Sequence, residues 1–256
     1  MDVILPGGLI SEGQAKRRAR FRELTGRVEQ ALLESDPRDG WAAYVTRLLS
    51  HSLERIGPDH ANEAMVSSLC MADRQFLMLR LAAALHGERM WLKVDCGSCE
   101  APFDVEVLRC DLPVKKAGPG FPFARVQCDG QTLSVRVPTG DDQFHIERLG
   151  EEEAIHTLLE RCIVGADGAT PAPGIGQRLT SDALDAIDHA LDAMSPAICE
   201  ELLVKCPECG REQQARLDHY RLGDLGERMF YDEVHSLAMH YHWSEAEILD
   251  LPLRRR

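Results

Sequence analysis

Cys96-Gly-Ser-Cys99 and Cys206-Pro-Glu-Cys209 are the two stretches whose reading decides the fold. Each sits between two runs of strand character: Met90 to Val94 and Phe103 to Val107 around the first, Leu202 to Lys205 and Gln213 to Leu217 around the second. One Cys-x-x-Cys turn offers two sulfurs, whereas a structural zinc ion takes four thiolate or imidazole ligands in a tetrahedron. A single turn of this kind arises easily by chance; two with matching flanks do not. The spacing therefore predicts that Cys96, Cys99, Cys206 and Cys209 meet around one structural Zn2+ ion, as a split four-cysteine zinc ribbon. Four sulfurs leave no open coordination position, so such a site holds structure and does not activate water.

Composition agrees with a metal role for these thiols. A chain of 256 residues that is 44% hydrophobic can bury a core. Pro6-Gly7-Gly8 interrupts the N-terminal apolar run, and no stretch approaches the length of a membrane span. A cytoplasmic location is expected, where reducing conditions favour metal ligation over disulfides. Cys70, Cys110, Cys128, Cys162 and Cys199 are isolated and read as core or incidental residues. The net charge of −13 opposes binding to a polyanion unless positive charge is segregated. Lys16, Arg17, Arg18, Arg20 and Arg22 crowd the N-terminal arm, and Arg254 to Arg256 end the chain. Phe21 alone interleaves with these cations, which is too little for a stacking platform, so a solvated strand face is favoured over a nucleic-acid arm.

Outward from the knuckles, the N-terminal side reads as an extended segment over residues 1–24, then helices. A short helix runs from the Thr25-Gly26 cap to about Glu34, and Asp36-Pro37-Arg38-Asp39-Gly40 is turn chemistry. Trp41, Tyr44, Val45, Leu48, Leu49 and Leu53 recur at spacings of three and four, predicting an amphipathic helix over 41–55. Asp73 is placed to cap a helix that is apolar nearly all round and closes at Gly87. Pro113 to Pro122 reads as a loop, and Asp129-Gly130 joins Ala124–Cys128 to Gln131–Val137 in a hairpin. Three helices follow, over Glu151 to Val164 with Ile155, Leu158, Leu159 and Cys162 inward, from Thr180 or Ser181 to Met194, and over Leu225 to Trp243. Gly165 to Gln177 reads as a loop between the first two. Ser244-Glu-Ala-Glu247 is a capping box that opens a last short turn.

Other chemistry is weaker. His145-Ile-Glu147 followed by Cys206-Pro-Glu-Cys209 has elements of the zinc-deaminase pattern, in which the Glu is the general acid/base. Lys205 stands where that pattern has proline, and Cys96 and Cys99 would be left without a role. Gly174-Ile-Gly176 lacks a third glycine and a preceding strand, and no phosphate-binding loop or nucleophile elbow occurs. His235, His240 and His242 cluster near a helix end, where packing or surface roles outweigh metal binding.

The order of segments carries a further reading. Leu5-Pro-Gly-Gly-Leu9, Leu24-Thr-Gly26, Asp73-Arg-Gln-Phe-Leu-Met-Leu-Arg80 with Gly87, Cys96-x-x-Cys99, Cys206-Pro-Glu-Cys209-Gly210 and Tyr241-His-Trp-Ser-Glu-Ala-Glu-Ile-Leu-Asp-Leu-Pro252 form one series. Across most of its length the chain resembles the baseplate hub assembly chaperones of T4-like contractile phage tails and contractile injection systems. The ending from Tyr241 to Pro252 is its most telling part. The resemblance implies a non-enzymatic assembly factor or structural component that binds hub, spike or tape-measure proteins, and it leaves open whether the protein stays in the finished particle. Zinc is read from the cysteines and not from the family.

Together these readings predict an α+β protein, mainly helical, with two zinc-knuckle hairpins and one additional β-hairpin. Residues 1–89 are read as an extended arm and helical region, 90–140 as the first knuckle and hairpin, and 141–256 as a helical region with the second knuckle, interlocked as one domain. The alternative function is a zinc-ribbon adaptor that binds nucleic acid through residues 16–22.

Overall fold

The computed structural model describes residues 1–11, 13–35, 38, 40–128, 131–164, 174–220, 227–253 and 255. The turn residues Asp36, Pro37, Asp39, Asp129 and Gly130, most of the 165–177 loop, the helix start at Leu225 and two of the terminal arginines lie outside the described residues. The protein mixes helix and strand, in an α+β arrangement built around one buried helix.

That helix is α4 (Met71–His86). Its apolar residues face several directions, and three hydrophobic clusters draw on it. Leu77, Met78 and Leu81 enter the largest, with α2 (Trp41–Ser52) and a four-stranded antiparallel sheet of β1 (Asp2–Ser11), β2 (Gln14–Phe21), β3 (Leu53–Ile56) and β4 (Asp59–His60). Cys70 and Ala72, at its N-terminal end, touch the second cluster. That cluster packs the sheet of β8 (Phe123–Cys128), β9 (Gln131–Arg136) and β10 (Ile163–Val164) against α6 (Glu151–Cys162), α7 (Ile175–Arg178) and α8 (Ser181–Met194). Leu79 and Phe76 point to the third cluster, beneath two hairpins. These hairpins are β5 (Arg89–Asp95) with β6 (Pro102–Leu108), and β12 (Glu201–Lys205) with β13 (Glu212–Arg216). Leucine, methionine and alanine suit a helix buried on many sides, because they lose little rotamer freedom in helical backbone.

Asp73 and Arg74, both fully buried, project from α4 in different directions. The helix is N-capped at Cys70, so Asp73 is not the cap residue expected from sequence. Its carboxylate instead accepts the Gly7 amide at 2.8 Å and the Gly8 amide at 2.7 Å, across from β1. The β1–β2 register shifts between Ile4 and Leu9, and Gly8 there has φ of +98°, a left-handed conformation suited to glycine. A Cβ on Gly7 would lie 2.9 Å from Asp73 Oδ2, so Pro6-Gly7-Gly8 is the bulge that lets the helix reach the strand. Burial raises the Asp73 carboxyl above its ordinary value, although the two amides pull it down. Arg74 donates to Ala42 O at 2.8 Å, Val66 O at 3.1 Å and Thr46 Oγ1 at 3.0 Å, tying α4 to α2 and to α3 (Glu63–Ser67). Gly140, which opens α5 (Gly140–Ile146), lies against that guanidinium: a Cβ there would meet Arg74 Nη1 at 2.4 Å.

Several sequence expectations are corrected. Residues 1–24 are extended, but as the β1–β2 hairpin of a sheet, with Ala19 and Phe21 buried as the alternation predicted. The helix read as 41–55 ends at Ser52, and Leu53 to Ile56 form β3. Leu53 and Ile56 satisfy either periodicity; strand wins because their backbone pairs with β2 in the core. The helix from Glu151 stops at Cys162, since Ile163 and Val164 pair with Val135 and Ser134 of β9. Ile155, expected inward, is exposed, and the inner face of α6 begins at Leu158. Ile175 to Gln177, read as loop, belong to α7, and within the 113–122 loop β7 (Val114–Lys115) pairs with β11 (Ala197–Ile198). The C-terminal helix α9 is described over Glu227–Tyr241 and is followed by α10 (Glu245–Leu249), opened by the capping box expected at Ser244 and Glu247. No helix among the described residues is long and apolar enough to cross a membrane.

Asp142 fixes α5 to α6 and β9. Its buried carboxylate is held by Arg136 at 2.5 and 2.7 Å, by Arg161 Nε at 2.8 Å and by the Thr139 amide at 2.8 Å. Burial alone would raise this carboxyl, but the Arg136 hydrogen bonds and the Thr139 amide outweigh it and hold it well below the carboxylate range. A depressed folded value stabilises the protein fully above the unfolded value, here 3.8, and that stability is lost as pH falls towards the folded value. Asp142→Asn should cost about 3 kcal/mol at neutral pH, by leaving two arginines partly unpaired. It should also flatten the acid limb of the melting temperature, which thermal denaturation from pH 7 down to 3 would measure.

Candidate metal centre

The two knuckles are built alike. In the first, the Glu100 amide donates to Cys96 O at 2.9 Å and the Cys96 amide to Ala101 O at 3.0 Å. In the second, the Gly210 amide donates to Cys206 O at 3.0 Å and the Cys206 amide to Arg211 O at 2.9 Å. The residue after each second cysteine is left-handed, Glu100 with φ of 59° and Gly210 with φ of 72°. In both, the first cysteine is buried and the second exposed. The strands beneath keep strict alternation: Met90, Leu92, Val105, Val107, Leu202 and Leu217 turn into the cluster under α4. That shared floor brings together knuckles separated by 107 positions between Cys99 and Cys206.

All four sulfurs lie within 4.8 Å of one another. Cys96 Sγ is 3.6 Å from Cys209 Sγ, and Cys99 Sγ is 3.7 Å from Cys206 Sγ. These separations exclude disulfides, whose sulfurs stand about 2.05 Å apart. They match a tetrahedron of thiolates, in which metal–sulfur bonds of about 2.3 Å place the sulfurs about 3.8 Å apart. The donor set therefore fits a metal ion.

The protonation chemistry points the same way. Amides of Cys99 and Ser98 aimed at Cys96 bring its thiol down to about 6. The Ala101 amide would lower Cys99 too, but the neighbouring sulfurs of Cys96, Cys209 and Cys206 prevail and push it up to about 12. The Cys96 thiolate forms readily, whereas Cys99 resists becoming a second. A cation at the centre removes that conflict by neutralising several thiolates together.

No family model, curated protein or solved structure matches this chain.

The four cysteines are the only group of His, Cys, Asp or Glu with metal-site spacing among the described residues. His145 and Glu147 do not join them. Glu147 Oε2 accepts the Ala42 amide at 2.9 Å in the first turn of α2, a helix-capping role, and His145 Nδ1 lies 2.7 Å from Asp141 O. His235, His240 and His242 are exposed, and His240 Nδ1 contacts Ser236 O at 2.8 Å. Among the isolated cysteines, Cys70 and Cys162 are buried in the second cluster, where burial raises both thiols; Cys199 is half-buried and Cys110 exposed. The Cys128 side chain lies outside the described residues.

Gln213 is the site residue that motif reading passes over. From β13 its Oε1 accepts the Gly97 amide at 3.0 Å, and its Nε2 donates to Asp95 O at 3.0 Å, both in the opposite knuckle. The signal in the sequence is an amide at an inward strand position: Gln213 pairs with Val204 as Phe103 pairs with Val94 in the other hairpin. This link joins the knuckles without using any sulfur. Neighbours that orient metal ligands are worth about 10–100-fold in affinity. Gln213→Leu should weaken metal binding by that factor in competition with a chelator, with secondary structure unchanged by circular dichroism. Glu100→Gly should raise resistance to unfolding by about 1 kcal/mol, since it relieves a left-handed non-glycine residue; denaturant titration of both proteins measures it.

Proposed function

We propose that Cys96, Cys99, Cys206 and Cys209 hold one structural zinc ion, making the two hairpins a split zinc ribbon, and that the protein is a non-enzymatic baseplate or hub assembly factor of a contractile tail or injection system. Zinc is favoured by an all-thiolate donor set at tetrahedral spacing. With four protein ligands the ion cross-links and presents no water-binding position. Its contribution is on the order of 10 kcal/mol, comparable with the net stability of a whole domain.

The assembly reading rests on the family resemblance, and one observation supports it: segments that carry the resemblance, scattered in sequence, touch in space. Gly7 and Gly8 of the Leu5–Leu9 segment bind Asp73, which opens the Asp73–Arg80 segment. Leu24 to Gly26 pair with the chain ending, through Leu253 N to Leu24 O at 2.9 Å, Gly26 N to Leu251 O at 3.3 Å and the Thr25–Pro252 bridge. Phe76 and Leu79, also within 73–80, lie under the knuckles. A series of motifs that forms one connected framework is more specific than its members taken singly.

The nucleic-acid reading is less well supported. Lys16 is 2.7 Å from Asp59 and Arg20 is 2.7 Å from Asp2, while Arg17 and Arg22 donate to the carbonyls of Gly7 and Leu53. Most cations of the basic stretch thus have partners within the sheet.

Metal analysis of freshly purified protein should find one zinc per chain, and chelation under mild denaturant should unfold the knuckle region; absence of zinc would overturn the metal assignment. Co-expression with the hub, spike and tape-measure proteins of a contractile particle should yield a stable complex with at least one of them. Failure to bind any of the three would overturn the assembly role.

A further inference from the structure

The four sulfurs divide by access as well as by knuckle. Cys99 and Cys209 are exposed, whereas Cys96 and Cys206 are only 2% and 1% exposed. The contacts across the centre join one of each: Cys99 Sγ lies 3.7 Å from Cys206 Sγ, and Cys209 Sγ lies 3.6 Å from Cys96 Sγ. A solvent-accessible cysteine beside a second one is the arrangement in which an oxidant meets the first sulfur and the second resolves it as a disulfide. All four sulfurs lie within 4.8 Å of one another, so proximity alone admits bonds within a knuckle as well. The backbone separates the two outcomes. A disulfide needs its sulfurs at about 2.05 Å, an approach of roughly 1.6 Å for either crossing pair. Within a knuckle such a change falls on one tight turn, closed by the Glu100 and Cys96 amides in the first and by the Gly210 and Cys206 amides in the second. Across the centre it is met by moving one hairpin toward the other as a unit. Gln213 and the apolar floor under α4 keep the two hairpins facing each other without using any sulfur.

We propose that the centre is a site of oxidative cross-linking, at which peroxide converts the four-sulfur cluster into two disulfides that cross between the knuckles, Cys99–Cys206 and Cys96–Cys209. The sulfur of Cys99 or Cys209 attacks one peroxide oxygen, the O–O bond breaks, and a sulfenic acid forms as hydroxide leaves. The buried sulfur opposite then attacks the sulfenic sulfur; the S–S bond forms, the S–O bond breaks and a second hydroxide leaves. Each disulfide thus passes two electrons to one peroxide, whose oxygens end as water after taking up two protons. An ion at the centre loses its thiolate ligands and is released. The crossing bonds join residues 107 and 113 positions apart, so the knuckles stay linked after the ion has gone. Bonds that close such long loops also restrict the unfolded chain most. This rests on the zinc reading above only for the ion that is displaced; the connectivity rests on the sulfurs and their turns.

Peptide mapping tests the connectivity, because trypsin releases each knuckle whole. Lys93 and Arg109 bracket the first and Lys205 and Arg211 the second, with no lysine or arginine between, giving peptides 94–109 and 206–211. The full-length zinc-loaded protein is treated with hydrogen peroxide, remaining thiols are alkylated, and the non-reduced digest is read by mass spectrometry. Most of the oxidised knuckle material should appear as one species joining the two peptides, four hydrogens lighter than their sum, which dithiothreitol separates. Zinc should be released in step, read with a chromogenic chelator. The oxidised protein should then resist the chelator and mild denaturant that unfold the reduced one. Two separate peptides, each two hydrogens lighter, would show bonds within the knuckles and overturn the proposal. So would sulfinic acid in place of any disulfide, or a joined species found only in covalent dimers. Bonds within the knuckles accompanied by zinc release would leave the zinc assignment standing. The crossing disulfides formed in protein that binds no zinc would support the connectivity and refute the zinc assignment.

Discussion

Asp73 and Arg74 impose the constraint on which the rest depends, because they place opposite charges on successive residues of a helix with almost no solvent around it. A buried charge is tolerated only where hydrogen bonds replace its hydration. Each residue therefore dictates what must stand beside it. Asp73 requires amides, which the glycine bulge of β1 supplies, and Arg74 requires carbonyl and hydroxyl oxygens, which α2 and α3 supply. Burial lowers the affinity of Arg74 for its proton, yet a guanidinium stays charged at any physiological pH, so the demand cannot be relieved by titration. The N-terminal sheet and the helices beside it are thus fixed to α4 by directional bonds as well as by apolar contact.

On that frame, the third cluster does for the knuckles what Asp73 does for β1. Val107 and Leu217, one from each hairpin region, meet Leu79 of α4, and their packing leaves the cysteine turns facing each other. Apolar packing brings the knuckles close but is not directional at their tips. The Gln213 amide fixes the final geometry by two hydrogen bonds, and the four sulfurs lie close enough to share one metal ion. A metal ion shared by the four sulfurs would clasp together parts of the chain 107 positions apart in sequence.

Much of this was legible beforehand for identifiable reasons. Helix α8 announces itself by its Thr180 cap and by Ile187, Leu191 and Met194 on one face, and the last helix by the Ser244–Glu247 box. The meeting of the four cysteines was legible because two Cys-x-x-Cys turns with matching strand flanks seldom arise together by chance. Boundaries at Leu53 and Ile163 were not, since a β-branched or leucine residue at a helix end fits either periodicity until a neighbouring strand offers its backbone. The true partner of Asp73 was hidden for the same kind of reason. A carboxylate in the first turn of a helix has an ordinary local use, and its distant amides lie 65 and 66 residues away.

The sequence by itself determined most of the helices, the strands around the knuckles, the four cysteines that meet and the acidic balance. These depend on local periodicity, cap chemistry and composition. Only the tertiary structure decided that Asp73 grips the glycine bulge, that Glu147 caps α2, that Gln213 joins the knuckles, and that each exposed cysteine meets a buried one of the other knuckle. Each of these is a relation between residues far apart in the chain. Such relations are set by which surfaces are left to bury once the helices and strands have formed, and no local pattern records that.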